Sequence, residues 1–136
     1  MTGQQIENSI YGLLKASSLP SFINGGVYKF GTRPKDSAKE DAVVKFVAGL
    51  PGQIHTGVVV VNLYVPDFEP YGNGVLTKDI TRCTELEVLA DEWVKSLTAN
   101  KSNFRFWLAQ TICTEGVPEI NQHFVNVKLK FVLSTI

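Results

Sequence analysis

The chain has 136 residues, 44% of them hydrophobic, which suits one domain with its own core and no metal or disulfide support. Thirteen Lys and Arg balance thirteen Asp and Glu, so no net field exists to hold a polyanion, and nucleic acid is not expected as a specific partner. The opening "MTGQQIENSIYGLL" lacks the basic region and apolar run of a secretory leader, and nowhere do the roughly 18 consecutive apolar residues of a membrane helix occur. A protein made and kept in the cytoplasm, with no membrane partner, is expected.

The first element is an amphipathic helix in "QQIENSIYGLLKAS". Ile6, Ile10, Leu13 and Leu14 recur at helical spacing, Gln5, Glu7, Asn8 and Lys15 are expected to face water, and Pro20 ends the helix. A short strand at "GGVYKFG" follows, and then a charged stretch, "GTRPKDSAKED". That stretch reads either as a solvated loop or as an ion-pair surface, because the planar fork of an arginine can hold a carboxylate twice. "DAVVKFVAG" (41–49) and "HTGVVVVNLYVP" (55–66), joined across "LPGQI", read as an antiparallel hairpin.

Pro66 withholds a donor and ends that strand, so Asp67 opens a long connection, "PDFEPYGNGVLTKD", within an extended loop at about 66–80. Phe68 and Tyr71 either fold back on their own domain or mark a protein contact. From Thr81 to about Thr98 a longer helix carries Cys83, Leu86, Leu89, Ala90, Trp93, Val94 and Leu97 on one side, and acids on the other. "NFRFWLAQTICT" (103–114) and "HFVNVKLKFVL" read as a second hairpin across "EGVPEINQ". In the last strand Val125, Val127, Leu129, Phe131 and Leu133 face one way, and Asn126, Lys128 and Lys130 the other, so one sheet face is wet or pressed on a polar surface. Paired strands argue for a single α+β domain over 1–136. Its expected architecture is a mainly antiparallel sheet of four to five strands, packed by the long helix and the shorter amino-terminal helix.

Chemical motifs are sparse. "GNG" at 72–74 reads as a turn, since neither a phosphate-loop pattern nor a following Lys-Ser/Thr surrounds it. His55 and His123 begin predicted strands, where a solvated histidine is ordinary, and nothing in the sequence sets an acid or hydroxyl beside either. Cys83 and Cys113, on a helix and a strand, read as small buried apolar residues rather than as a bridge. No catalytic residue, cofactor or metal is expected, and the chain is not read as an enzyme.

The patterns "RP…S…ED.VV" (Arg33, Pro34, Ser37, Glu40, Asp41, Val43, Val44) and "G.V.VN.YVPD" (Gly57, Val59, Val61, Asn62, Tyr64, Val65, Pro66, Asp67) follow an amino-terminal helix. They precede a long loop, an amphipathic helix and a closing strand pair. This combination resembles the tail-completion and tail-terminator proteins of tailed phages and prophages. The likeness in element order spans most of the chain, and in sequence it is concentrated in residues 33–67. It implies a structural virion protein forming a ring, commonly a hexamer, on the end of the tail tube. The ring stops tail growth and meets the head connector, first in the host bacterial cytoplasm and then in the tail or neck of the virion. The expected partners are further copies of the chain, the tail-tube protein and the head connector protein. The hairpin 41–65 and its flanking loops would lie at the contacts, with Arg33, Lys35, Glu40, Asp41, Asp67, Phe68 and Tyr71 as candidate interface residues. The alternatives are another neck protein, a non-viral binding module, and a small hydrolase using Asp67 with His55 or His123.

Overall fold

A computed structural model describes residues 1–98 and 103–134. Helix α1 (Gly3–Ala16) starts on a capping box: the Thr2 hydroxyl accepts the Gln5 N–H at 3.3 Å, and the Gln5 side chain accepts the Thr2 N–H at 2.9 Å. Ile6, Ile10 and Leu14 are buried, while Leu13, expected on the same stripe, is half-buried. Ser17 closes the helix by bonding the Leu14 carbonyl, and Pro20 falls within a 3₁₀ turn at Leu19–Phe22. Helix α2 (Ile80–Thr98) begins where the Asp79 carboxylate accepts the Arg82 N–H at 3.1 Å. It buries Cys83, Leu86, Ala90, Trp93, Val94 and Leu97, while Leu89 is half-buried.

The strands are β1 (Val27–Lys29), β2 (Ala42–Leu50), β3 (Ile54–Pro66), β4 (Phe104–Leu108), β5 (Cys113–Val117) and β6 (Gln122–Ser134). The sheet runs β1-β2-β3-β6-β4, with β5 also paired to β6. The antiparallel partners β3 and β6 stay in register from Ile54↔Ser134 to Pro66↔Gln122, and the other edge of β6 is shared by β4 and β5 in succession. Their alternation sends Val59, Val61, Leu63, Val65, Val125, Val127, Leu129, Phe131 and Leu133 into one core. Helix α1 covers β1 and β2, and α2 lies mainly on β4 and β6. Burying each large aliphatic or aromatic side chain contributes about 1.5–3 kcal/mol before chain entropy is counted.

The α+β class holds, but the expected four to five mainly antiparallel strands are corrected, among the described residues, to six in a mixed sheet. Strand β1 runs parallel to β2, because the chain between Phe30 and Asp41 returns to the start of β1 before β2 begins. The single expected strand at 103–114 is two. Phe104, Phe106 and Leu108 face the core, and continued pairing would drive Gln110 into it. The chain leaves the ladder instead, and Gln110 bonds Asn126 at 3.0 Å. Glu7 is buried rather than solvated. Strand β1 stops at Lys29, leaving the Phe46 N–H on that edge of β2 without a strand partner, and the Glu7 carboxylate accepts it at 3.0 Å. His55, expected at the surface, is 5% exposed and packs on Phe131 at 5.8 Å between ring centres. Cys83 and Cys113 are free thiols; Cys83 is buried, whereas Cys113 is only half-buried, and burial foremost pushes the Cys83 thiol upward. No helix among the described residues is long and apolar enough to cross a membrane.

Candidate subunit interface

The charged stretch before β2 folds inward. Asp41, 1% exposed, accepts hydrogen bonds from the Gly26 N–H at 2.8 Å, the Ser37 hydroxyl at 2.5 Å and Arg33 Nε at 2.9 Å. Burial alone would push its carboxyl up. The bonds from Ser37, Gly26 and Arg33, with the charge of Arg33, outweigh burial and hold the group below the ordinary carboxylate value. Arg33 also reaches the Gln122 side chain at 2.9 Å and the Ser37 and Lys39 carbonyls, and its guanidinium lies 3.9 Å from the centre of the Tyr64 ring. Glu40, likewise buried, holds Arg82 of α2 through both carboxylate oxygens, at 2.6 and 2.9 Å. Arg82 also donates to the Phe22 carbonyl and to Glu85. The bonds to Glu40 are the main reason its guanidinium is held above the usual arginine value.

Three of the expected contact residues, Arg33, Glu40 and Asp41, are thus occupied within their own chain. They fix the loop 30–41 to the sheet and to α2, while Lys35 on that loop stays exposed and in no ion pair among the described residues. The sequence announced these charges but not their partners. Gln122 lies 89 residues from Arg33, and Arg82 lies 42 from Glu40, so no local pattern could join them.

Asp67 and His123 are brought together. The Asp67 carboxylate meets His123 Nδ1 at 2.7 Å, and its own N–H bonds the Asn121 carbonyl at 3.0 Å, tying the exit of β3 to the start of β6. Among the described residues no hydroxyl or thiol is hydrogen-bonded to this imidazole. The loop beyond is ordered by its own bonds. Phe68 and Thr77 exchange backbone hydrogen bonds at 2.9 and 2.8 Å, the Glu69 carboxylate accepts the Gly74 N–H, and Asn73 caps Val75. Gly72 and Gly74 take φ of 67° and 79°, which side-chain-bearing residues rarely adopt. This closed base leaves five large apolar side chains exposed: Phe68, Tyr71 (81% exposed), Val75, Leu76 and, at the start of α2, Ile80. Asp67→Ala should cost about 0.5–1.5 kcal/mol. Limited proteolysis should then cut between Glu69 and Leu76 faster than in wild type; unchanged cutting would show that the Phe68–Thr77 bridge suffices.

The outer face of the sheet, away from both helices, is the second uncovered surface. Near Asp67 it is roofed by Arg33 on Tyr64, and Tyr64 in turn packs on Phe124 at 5.6 Å. At mid-sheet, Gln110 bonds Asn126 and Asn126 bonds Asn62 at 2.8 Å. Beyond that pair stand Lys45, Val58, Val60, Arg105, Trp107, Lys128, Lys130 and Val132. Trp107 and Arg105 are legible in "FRFWL" as the positions out of phase with Phe104 and Phe106, although only Asn126, Lys128 and Lys130 of β6 signalled a polar face. Neither a scan against protein-family models nor a search of curated proteins returns a match for the chain.

Proposed function

We propose that the chain is a structural virion protein of the tail-terminator kind, assembling as a ring, of six copies in the reading carried over from the resemblance, at the end of a phage or prophage tail tube. The observation that carries this reading is the self-bonded loop 66–80, which holds Phe68, Tyr71, Val75 and Leu76 out of their own core. Large apolar side chains held in water on an ordered loop are costly and suit a protein contact. The tail-tube protein and the head connector are the partners assigned to it, and the host cytoplasm followed by the virion neck is its place. Mass photometry of the purified chain should give a closed multiple of the chain mass, and the chain should co-sediment with tail-tube protein. Phe68→Ser combined with Tyr71→Ser should weaken tube binding by about 2–4 kcal/mol, as for a contact hot spot. A strict monomer at high concentration that also ignores tube protein would sink the reading.

A small hydrolase built on Asp67 and His123 has one observation in its favour, their 2.7 Å contact. An acid and an imidazole are two parts of a nucleophilic triad, and the third is wanting among the described residues bonded to His123. The pair fits a strand-end lock better.

A further inference from the structure

Charge is segregated between two sides of a chain whose net charge is zero. On the outer sheet face, past the Asn62–Asn126 pair, the register sets Lys128 beside Val60, Lys45 on the other side of Val60, Lys130 between Val58 and Trp107, and Arg105 beside Val132. None of these four cations forms an ion pair among the described residues, and no face position in this half is acidic. Lys45 lies over the Phe30 ring, 4.3 Å from its centre. Trp107 is 46% exposed, and a shallow hollow of about 300 Å³ runs from it past Val58, Lys130 and Val132.

The exposed part of α2 is the reverse. Glu85, Glu87, Asp91 and Glu92 lie along α2 and outnumber its cations: Arg82 pairs with Glu85 as well as Glu40, Lys95 pairs with Asp91, and Glu87 accepts the Thr114 hydroxyl at 2.6 Å. Between α2 and the chain after β4 lies a cleft of about 380 Å³. Its walls are Val88 (54% exposed), Leu108 and Ile112, and its rim carries Glu87 and Asp91. One surface is therefore apolar ringed by cations, and the other is an apolar cleft rimmed by carboxylates.

We propose that these are the two halves of one contact between copies of this chain: Trp107 of one copy seats in the Val88–Leu108–Ile112 cleft of the next, and Arg105, Lys128 and Lys130 meet its Glu87 and Asp91. The contact rests on the ring reading above and specifies which surfaces close the ring. One half lies on the outer face of the sheet and the other between α2 and the chain after β4, so a contact in which the face of one copy meets the cleft of the next is heterologous. Each copy keeps one free half, and repetition ends only when the ring closes. Complementary potentials select this pairing over face-to-face or helix-to-helix dimers, which would set like charges together.

The test is charge reversal. Lys128→Glu with Lys130→Glu, or Glu87→Lys with Asp91→Lys, should each raise the dissociation constant for self-association at least about 100-fold. The chain carrying all four changes, and an equimolar mixture of the two double variants, should regain assembly. Assembly of each double variant as in wild type would overturn this contact and leave the ring reading standing. Wild type that stays monomeric at low salt would remove both. Wild type that stays monomeric yet binds single-stranded DNA through Lys128 and Lys130 would reassign the basic face. Carbodiimide cross-linking of mixed isotopically heavy and light wild-type chains needs no variant. Heavy-to-light links should join Lys128 or Lys130 to Glu87 or Asp91, and links confined to other pairs would overturn the assignment even if a variant failed to fold.

Discussion

Asp41→Ala is expected to lower the free energy of unfolding by about 3–5 kcal/mol, the cost of stripping one partner from a buried ion pair. The carboxylate is almost fully buried, and its loss leaves the Arg33 guanidinium, itself only 13% exposed, without its counter-charge. It also orphans the Gly26 N–H and the Ser37 hydroxyl. The position explains the size of the effect. Gly26 and Asp41 stand immediately before β1 and β2, and the Ala42 N–H bonds the Gly26 carbonyl at 2.9 Å. One side chain thus holds the starting ends of the only parallel pair among the described strands. Gly25 leaves it room, since a Cβ there would collide with Asp41 Oδ1 and the Glu40 carbonyl. Chemical denaturation should give the energy, and hydrogen exchange should show Val27–Phe30 losing protection first. A loss below about 1 kcal/mol would mean that the clamp is dispensable.

The same group sets an acid limit. Its folded-state pKa lies below the ordinary 3.8, so as pH falls the unfolded chain takes up the proton first. The contribution is full above the ordinary value and is lost as pH drops through the folded one. The stability gap between wild type and Asp41→Asn should therefore be constant near neutrality and narrow below about pH 4. A gap that widened in acid would contradict the direction assigned here.

Much of this architecture could be read from periodicity, and the limits of that reading have a physical cause. Alternation in "HFVNVKLKFVL" and the three-and-four spacing from Cys83 to Leu97 state which side of an element is apolar, and those sides are the ones buried. Periodicity says nothing of which strand lies alongside. The three residues of β1 have no pattern to declare a parallel partner, and the break after Leu108 follows from a single polar residue, Gln110, reaching an inward position. The interface candidates divide along the same line. Lys35, Phe68 and Tyr71 are exposed, whereas Arg33, Glu40 and Asp41 are spent on partners that only the fold supplies. His55 belongs with the second group: it looked solvated at the head of a strand, and its burial depends on a ring 76 residues further along the chain (131 − 55).

That ring is Phe131, and Phe131→Ala should cost about 3–5 kcal/mol, the range for emptying a large buried aromatic site. Phe131 is 1% exposed and meets Phe46, His55 and Phe104 at ring-centre distances of 6.5, 5.8 and 5.9 Å, so three elements lose a common neighbour when it goes. Its cross-strand partner is Gly57. A Cβ at Gly57 would come within 2.7 Å of the ring and would also strike the Ala48 carbonyl, beside the irregularity in the β2–β3 register. The glycine is thus the space into which the ring lies, and the ring covers backbone that a glycine would otherwise leave bare. Gly57→Ala should therefore destabilise the wild type. In the Phe131→Ala background it should cost less by about 0.5–3 kcal/mol, because one of the two collisions is gone while the Ala48 carbonyl remains. Denaturation of the four proteins of this cycle measures the coupling. A coupling near zero would place the whole penalty on the strand backbone, and Gly57 would then serve the register of β2 on β3 rather than the seat of Phe131.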